Sequence, residues 1–289
     1  MPGVRSPVYR GRLGGNRRTL EGEARPHHGL FQSLAHCQSR RKAVCIEINS
    51  TLTRYLDAMK KDSGTADTKD AYNAQADSLA ARYESKSFEE IHQEIRDLIP
   101  SEVGLVLDIG AGSGRDAAWF ATHGHEVVAV EPADRLREIA KSLHANSRIR
   151  WLDDRLPSLE KVFRIGLTFD IIWISAVWMH VPPSFRQRAF RKLATLLRPG
   201  GRIMMSLRQG PPPEDRVMYP TDVEEVEKLA RSYGLAVIRI TRANDQLGRE
   251  GVTWQTVCLQ APDDGLGALP LLRHVIINDS KSSTYKLAL

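Results

Sequence analysis

The chain has 289 residues, 42% of them hydrophobic and 26% charged, a composition that suits a folded domain and excludes a low-complexity or collagen-like chain. No apolar run reaches the roughly 18–20 residues that cross a bilayer, so no membrane partner is expected. The formal charge of +6 hints at nucleic acid, but ten Lys or Arg against four Asp or Glu fall in residues 1–58 and the remainder is balanced.

Residues 1–66, with the stretch VYRGRLGGNRR, read as a basic extension without order, because large apolar residues and periodicity are both scarce. A transit peptide and a nucleic-acid arm are the alternatives. Met59 resembles a natural start, which would make residues 1–58 an upstream extension. The basic N-terminus has no apolar core behind it, so no secretory leader is expected. Cys37, Cys45 and Cys258 form neither a disulfide framework nor a metal-ligand spacing; a reducing, cytoplasmic location and no metal are expected.

From Lys69 the texture changes. Tyr72, Ala76, Leu79, Ala80 and Tyr83 recur at helical spacing. Ser87 and Glu90 form a capping box that opens a second helix, with Phe88, Ile91, Ile95 and Leu98 on one face up to Pro100. VGLVLDI (103–109) is a continuous apolar run, as a strand buried on both faces requires. A helix over 115–123, a strand over 126–131, a helix from Pro132 to about Ala145 and strands over 148–152 and 169–176 follow. An amphipathic helix over 183–197 closes at RPGG, a stop signal. A strand at 202–207, a helix at 222–233 and strands near 235–241 and 252–260 complete the set. This alternation predicts an α/β fold, a doubly wound, mostly parallel sheet with helices on both faces. The domain is expected to span residues 67–261. The tail, 262–289, reads as a linker and helical patches whose leucines either pack on the domain or begin a further element.

The stretch LDIGAGSGRD carries Gly110, Gly112 and Gly114 straight after the first strand. A glycine-rich turn there lets a ligand approach the backbone and exposes amides at a helix N-terminus. Glu131 ends the next strand, where a carboxylate can accept both hydroxyl hydrogens of a ribose. The spacing is G-x-G-x-G rather than the G-x-G-x-x-G of dinucleotide sites. Asp108 at the strand end would repel a pyrophosphate and suits a ligand with a cationic group.

VLDIGAGSGRDAAWFATHGHEVVAVEPADRLREIA resembles the first motifs of class I S-adenosylmethionine-dependent methyltransferases, and DIIWISAVWMHVPPSFRQRAFRKLATLLRPGGRIMMSL resembles their later ones. The likeness spans about residues 70–260. It implies a seven-stranded sheet of order 3-2-1-4-5-7-6 with one antiparallel strand, and S-adenosylmethionine as cofactor. It implies Asp108 near the methionyl end, Gly110, Ala111, Gly112 and Gly114 in the loop beneath the cofactor, and Glu131, followed by Pro132, on the ribose. It further implies Asp153 or Asp154 near the adenine amino group, and Ser175 and Ala176 near the transferable methyl. Tyr72 and Tyr83 belong to a helix that in many relatives caps the cofactor, so Tyr83 joins the cofactor-binding set.

Methyl transfer by direct displacement needs an acceptor held in line and water excluded. His180 is the candidate base, although a single histidine after an apolar run is more often structural. Trp178 and Met179 either line the acceptor pocket or pack in the core, and Trp173 reads as core. Arg208 and Tyr219 flank the loop QGPPPEDRVMYP, of a kind that closes over substrates. The expected acceptor is a small molecule; the Asn/Asp-Pro-Pro-aromatic signature of amino-methyltransferases is replaced by Ser175-Ala176-Val177-Trp178. The rivals are an RNA methyltransferase that uses the basic arm, a dinucleotide oxidoreductase and a scaffold without activity.

Overall fold

The computed structural model describes residues 63–265, with side chains from Thr68 onward. The extension over residues 1–62 and the tail beyond Gly265 lie outside the described residues, and with them the expectations placed on those segments. Helix α1 (Ser63–Ala74) starts inside the segment expected to lack order. Its backbone hydrogen bonding runs a turn further toward the N-terminus than the apolar pattern that signalled it.

Seven strands form one sheet: β1 (Leu105–Ile109), β2 (Glu126–Val130), β3 (Ile149–Leu152), β4 (Phe169–Ile174), β5 (Leu197–Gln209), β6 (Ala236–Asn244) and β7 (Thr253–Gln260). Their order is β3-β2-β1-β4-β5-β7-β6. All neighbours are parallel except at β7, which runs antiparallel to both β5 and β6. The order implied by the family resemblance is the order observed. Successive strands are added on one side of β1 up to β3 and on the other side from β4, and in open α/β sheets a ligand crevice opens at that switch point.

Alternate side chains of the central strands feed two cores. Leu107, Ile109, Val128, Val130, Ile172 and Ile174 pack under α7 (Pro183–Leu196), whose Ala189, Phe190 and Leu193 face them, and under α8 (Val223–Ser232). Val106, Val127, Ala129, Ile171 and Trp173 pack on the other face against Phe120 of α4 (Arg115–Thr122) and Phe88 of α3 (Phe88–His92). Both faces are covered, which is why these strands read as unbroken apolar runs. Ser87 and Glu90 make both bonds of the predicted capping box. After His92 the helix tightens to a 3₁₀ turn over Gln93–Leu98.

The helix predicted around Tyr72 and Tyr83 is two helices, α1 and α2 (Ala76–Glu84), joined at Gln75. Ala76 and Ala80 pack them against Ala133 and against Leu136 of α5 (Asp134–Leu143). Two further differences are local. The RPGG stop signal lies inside β5, which is longer than expected and meets β4 with a register shift between Phe169 and Ile171. A short helix, α6 (Glu160–Ile165), carries no apolar repeat long enough to be read from sequence.

Candidate functional site

A cleft of about 450 Å³ opens at the carboxyl ends of the strands. It runs from the end of β2, past β1 and β4, to the ends of β5 and β6 and the start of β7, beneath α1 and α2. Every glycine of the motif is in a left-handed conformation, and two explain why no other residue serves. At Gly110 (φ +68) a Cβ would lie 2.4 Å from Val177 Cγ2, and at Gly114 (φ +89) 3.0 Å from Trp151 Cη2. The turn is pinned to β2 by the Gly110 and Ala111 amides, both of which donate to the Val130 carbonyl.

Two carboxylates flank that turn. Glu131 is buried, accepting from the Gly112 amide at 2.9 Å and from the Ala133 amide at 2.8 Å. The Gly112 amide is thus engaged by Glu131 and holds its carboxylate at the cleft wall. Burial pushes the Glu131 carboxyl up to about 7, against the pull of these amides and of Arg137 and Lys69. Asp108 is buried at the end of β1, and its Oδ2 has no hydrogen-bond partner among the described residues. Burial, and then the charge of Asp116, raise its carboxyl well above the usual range. A buried acidic oxygen without a donor in a cleft wall is a place where a cationic or hydrogen-bonding ligand gains most.

Asp116, two positions beyond the last glycine, ties α3 to α4 and β4. His92 Nε2 lies 2.9 Å from its Oδ2, Trp173 Nε1 donates to the same oxygen at 2.8 Å, and Arg115 Nε donates to Oδ1 at 2.8 Å. The neighbouring His92 and Arg115 hold the Asp116 carboxyl far below its usual range despite burial. This cluster joins α3, α4 and β4; sequence analysis missed it because His92 stands 24 positions away on another element.

The two candidate adenine-side carboxylates are used differently. Asp154 lines the cleft, but its carboxylate accepts from the amides of Arg155, Lys161 and Val162 and so caps α6. Asp153 points to Lys161 Nζ at 3.1 Å and, among the described residues, is not part of the lining. Pro132, Ser175 and Tyr83 do line it, and the Tyr83 ring covers Gly112. Ala176 also holds a left-handed backbone (φ +58), a strain of roughly 1–2 kcal/mol for a non-glycine residue, and its amide donates to Ser206 Oγ at 2.8 Å. Trp178 is fully buried in the core rather than in the pocket, whereas Met179 lines it.

His180 lies at the far side of the cleft. Its Nδ1 is 3.2 Å from the Val217 carbonyl, so that nitrogen carries the proton, and Nε2 accepts from the Tyr72 hydroxyl at 3.1 Å. Burial pushes the ring down to about 4, with Arg216 and Arg208 adding to the effect, so it is neutral. The Tyr83 hydroxyl lies near that of Tyr72, and burial raises both phenols above their usual range. The loop after β5 closes over this group. Arg216 lies 4.7 Å above the Tyr72 ring, pairs with Asp215 at 2.8 Å and reaches Gln75 at 3.3 Å, and the Tyr219 amide donates to the Met179 carbonyl. Sequence reasoning singled out this loop without finding Arg216.

Among the described residues no His, Cys, Asp and Glu cluster could hold a metal ion, and no helix is long and apolar enough to cross a membrane.

A methyltransferase domain family matches residues 106–201, and a domain of unknown function matches 265–289. A ubiquinone biosynthesis O-methyltransferase of Coxiella burnetii is 32% identical over 101 residues, 35% of this chain and 42% of that protein. An uncharacterised methyltransferase of Mycobacterium tuberculosis is 26% identical over 149 residues, 45% of this chain and 58% of that protein. The chain therefore spans less than two thirds of the length of these relatives. Among solved structures, a Burkholderia thailandensis 1,6-didemethyltoxoflavin-N1-methyltransferase with bound S-adenosylhomocysteine aligns with a TM-score of 0.47 and 19% identity, over 77% of this chain and 90% of that one.

Proposed function

We propose that this chain, whose residues 106–201 match a methyltransferase domain family, is a class I S-adenosylmethionine-dependent methyltransferase that transfers a methyl group from S-adenosylmethionine to a small-molecule acceptor by direct in-line displacement. The observation that carries the reading is the pair of buried carboxylates, Asp108 and Glu131, on either side of a glycine turn that leaves no room for side chains. When bound, the cofactor supplies a methyl group already activated on a sulfonium.

The chain's own residues then have four tasks. Glu131, oriented by two amides, has lone pairs left to accept the ribose hydroxyls. Asp108 Oδ2 offers its unshared lone pairs to the cationic, methionyl half. Gly110, Ala111 and Gly112 form the floor and Tyr83 the cover. Asp154, held as a helix cap, supports the adenine-side wall, and Pro132 also lines the cleft. Ser175 and Ala176 mark the end of β4, where the two halves of the cleft meet.

His180 accepts from the Tyr72 hydroxyl and so fixes the orientation of that phenol beneath the loop that carries Arg216. In this reading His180 is a positioning residue: burial lowers its ring to about 4, too weak a base to take the acceptor's proton. The loop carrying Arg216 excludes water from the reacting atoms. A small acceptor suits a cleft of about 450 Å³ shared with a nucleoside.

The test is calorimetry with S-adenosylhomocysteine, followed by incubation of the protein with methyl-labelled cofactor and fractionated cell extract. Binding that is lost in Glu131→Ala, and label entering small metabolites, are expected. No affinity for S-adenosylhomocysteine overturns the cofactor assignment, and label entering RNA or protein overturns the acceptor class.

A further inference from the structure

The acceptor half of the cleft holds an arginine whose bonding is incomplete. Arg208, near the end of β5, is 9% exposed and lines the cleft. Its Nη1 and Nη2 donate to the carbonyls of Gly210 and Pro211 at 3.1 and 2.8 Å, which fixes the plane of the guanidinium. Its Nε has no partner among the described residues. A buried N–H on a cation, without an acceptor, is costly unless a ligand completes it.

The surrounding charges sharpen the point. Arg216 and Arg249 also line the cleft, but each has its own carboxylate: Asp215 for Arg216, Asp245 for Arg249. Asp245 is further engaged by the Trp254 indole at 2.9 Å. Glu250 lines the exposed rim. Arg208 is hydrogen-bonded only to peptide carbonyls, so its charge is left without a bonded carboxylate. Burial and the charge of Arg249 lower its proton affinity, as an incompletely paired guanidinium requires. The lining beside it includes Trp254, its partner across the β5–β7 ladder, and Val252, next to the paired Asp245 and Arg249.

Its position separates it from the cofactor. In the order β2-β1-β4-β5, Arg208 stands two strands beyond Asp108, roughly 10 Å at ordinary strand spacing. Ser175, at the end of β4, lies between them.

We propose that the methyl acceptor is a small apolar molecule carrying an acidic group, a carboxylate or a phosphate, one oxygen of which is held by the Nε–H of Arg208. The inference rests on the methyl-transfer reading for the word acceptor, but the anion site itself does not. Two of the five N–H donors of the guanidinium are committed to the loop, which fixes its plane and so the direction in which the Nε–H meets the acid. That bond orients the acceptor body along Trp254, with its far end toward β4.

The experiment is a titration of the full chain with 4-hydroxybenzoate, phenyl phosphate and the neutral methyl 4-hydroxybenzoate, each with and without saturating S-adenosylhomocysteine. Expected is a preference of about tenfold for one of the acids over the neutral ester, lost in Arg208→Met and partly kept in Arg208→Lys. Which acid binds more tightly separates carboxylate from phosphate. In wild-type protein the Nε–H resonance that is missing from Arg208→Lys should shift with the acid and not with the ester, a readout that survives if Arg208→Met fails to fold. Equal affinity for ester and acids, or a preference that persists in Arg208→Met, overturns the proposal. So does a loss of S-adenosylhomocysteine affinity in Arg208→Met, which would assign Arg208 to the cofactor's own carboxylate. Failure of S-adenosylhomocysteine to bind wild-type protein overturns the methyl-transfer reading instead, and the titrations without it still decide the anion site.

Discussion

The Tyr72 hydroxyl donates to Nε2 of His180 across 3.1 Å, linking the cap helix α1 to the segment that follows β4. Because Nδ1 of the same ring donates to the Val217 carbonyl, the tautomer is fixed and the ring bridges the cap and the loop over the cleft. Removing the hydroxyl should therefore affect turnover more than cofactor binding. Tyr72→Phe is expected to lower kcat about 100-fold, with the Kd of S-adenosylhomocysteine changed less than about twofold. A large loss of cofactor affinity instead would make the pair a structural brace.

The same histidine sets a pH expectation. Its folded pKa is near 4, below the ordinary value of about 6.5. The unfolded chain therefore binds a proton first, and stability falls as pH drops from about 6.5 toward 4. Above that window His180 is neutral in both states and contributes no pH dependence. Urea midpoints at pH 7.5 and 5.0 test this: the loss between them should be smaller in His180→Gln than in wild type.

Glu131 titrates in the opposite sense. Its carboxyl is raised to about 7 by burial, so below that pH it is protonated in the folded protein and cannot accept both ribose hydroxyl hydrogens. Affinity for S-adenosylhomocysteine should fall as pH drops from 8 to 6, by about tenfold for each unit below the pKa if the protonated form does not bind. Glu131→Gln should bind weakly at every pH, with a flat profile. Calorimetry at three pH values separates the two curves.

How much of this was legible in the sequence depends on how local each feature is. Gly110, Gly114 and Glu131 stand at fixed offsets from strand ends, and those offsets survive folding because strand and turn geometry are rigid. The strand order itself came from the family resemblance, since periodicity does not rank strands. Choosing between Asp153 and Asp154 was beyond sequence, because α6, which Asp154 caps, is a six-residue helix without a repeat to announce it. Tyr72 and His180 were each visible, but their bond spans 108 positions. Arg208 was seen only as a loop flank; what distinguishes it is an N–H left over after two carbonyls are served, which exists only in three dimensions.

The buried cluster at Asp116 predicts how α3 is held to the sheet. Two donors and His92 converge on one carboxylate in a dry setting, and removing the anion strands the Arg115 cation. Asp116→Ala should cost roughly 3–5 kcal/mol in urea unfolding, the usual penalty for breaking a buried pair. The Asp116 pKa is depressed in the fold, so its contribution is complete above the unfolded value of about 3.9 and is lost as pH falls below it. A small effect of the substitution at neutral pH would show that water enters the cluster.

Gly110 offers the sharpest steric test of the cleft floor. Its φ of +68 disfavours any side chain, and a Cβ there would approach Val177 Cγ2 to 2.4 Å. Gly110→Ala must therefore move either the glycine turn or the segment after β4. Both line the cleft, so binding of S-adenosylhomocysteine should fall about 10-fold or more, for a strain of roughly 1–2 kcal/mol from the backbone and more from the clash. Trimming the partner separates the two costs. In Gly110→Ala with Val177→Ala the contact is relieved while the left-handed strain remains, so part of the affinity should return, and the residue of the loss measures the backbone term. Full recovery in the double variant would mean that the turn tolerates alanine and that only Val177 keeps the position glycine.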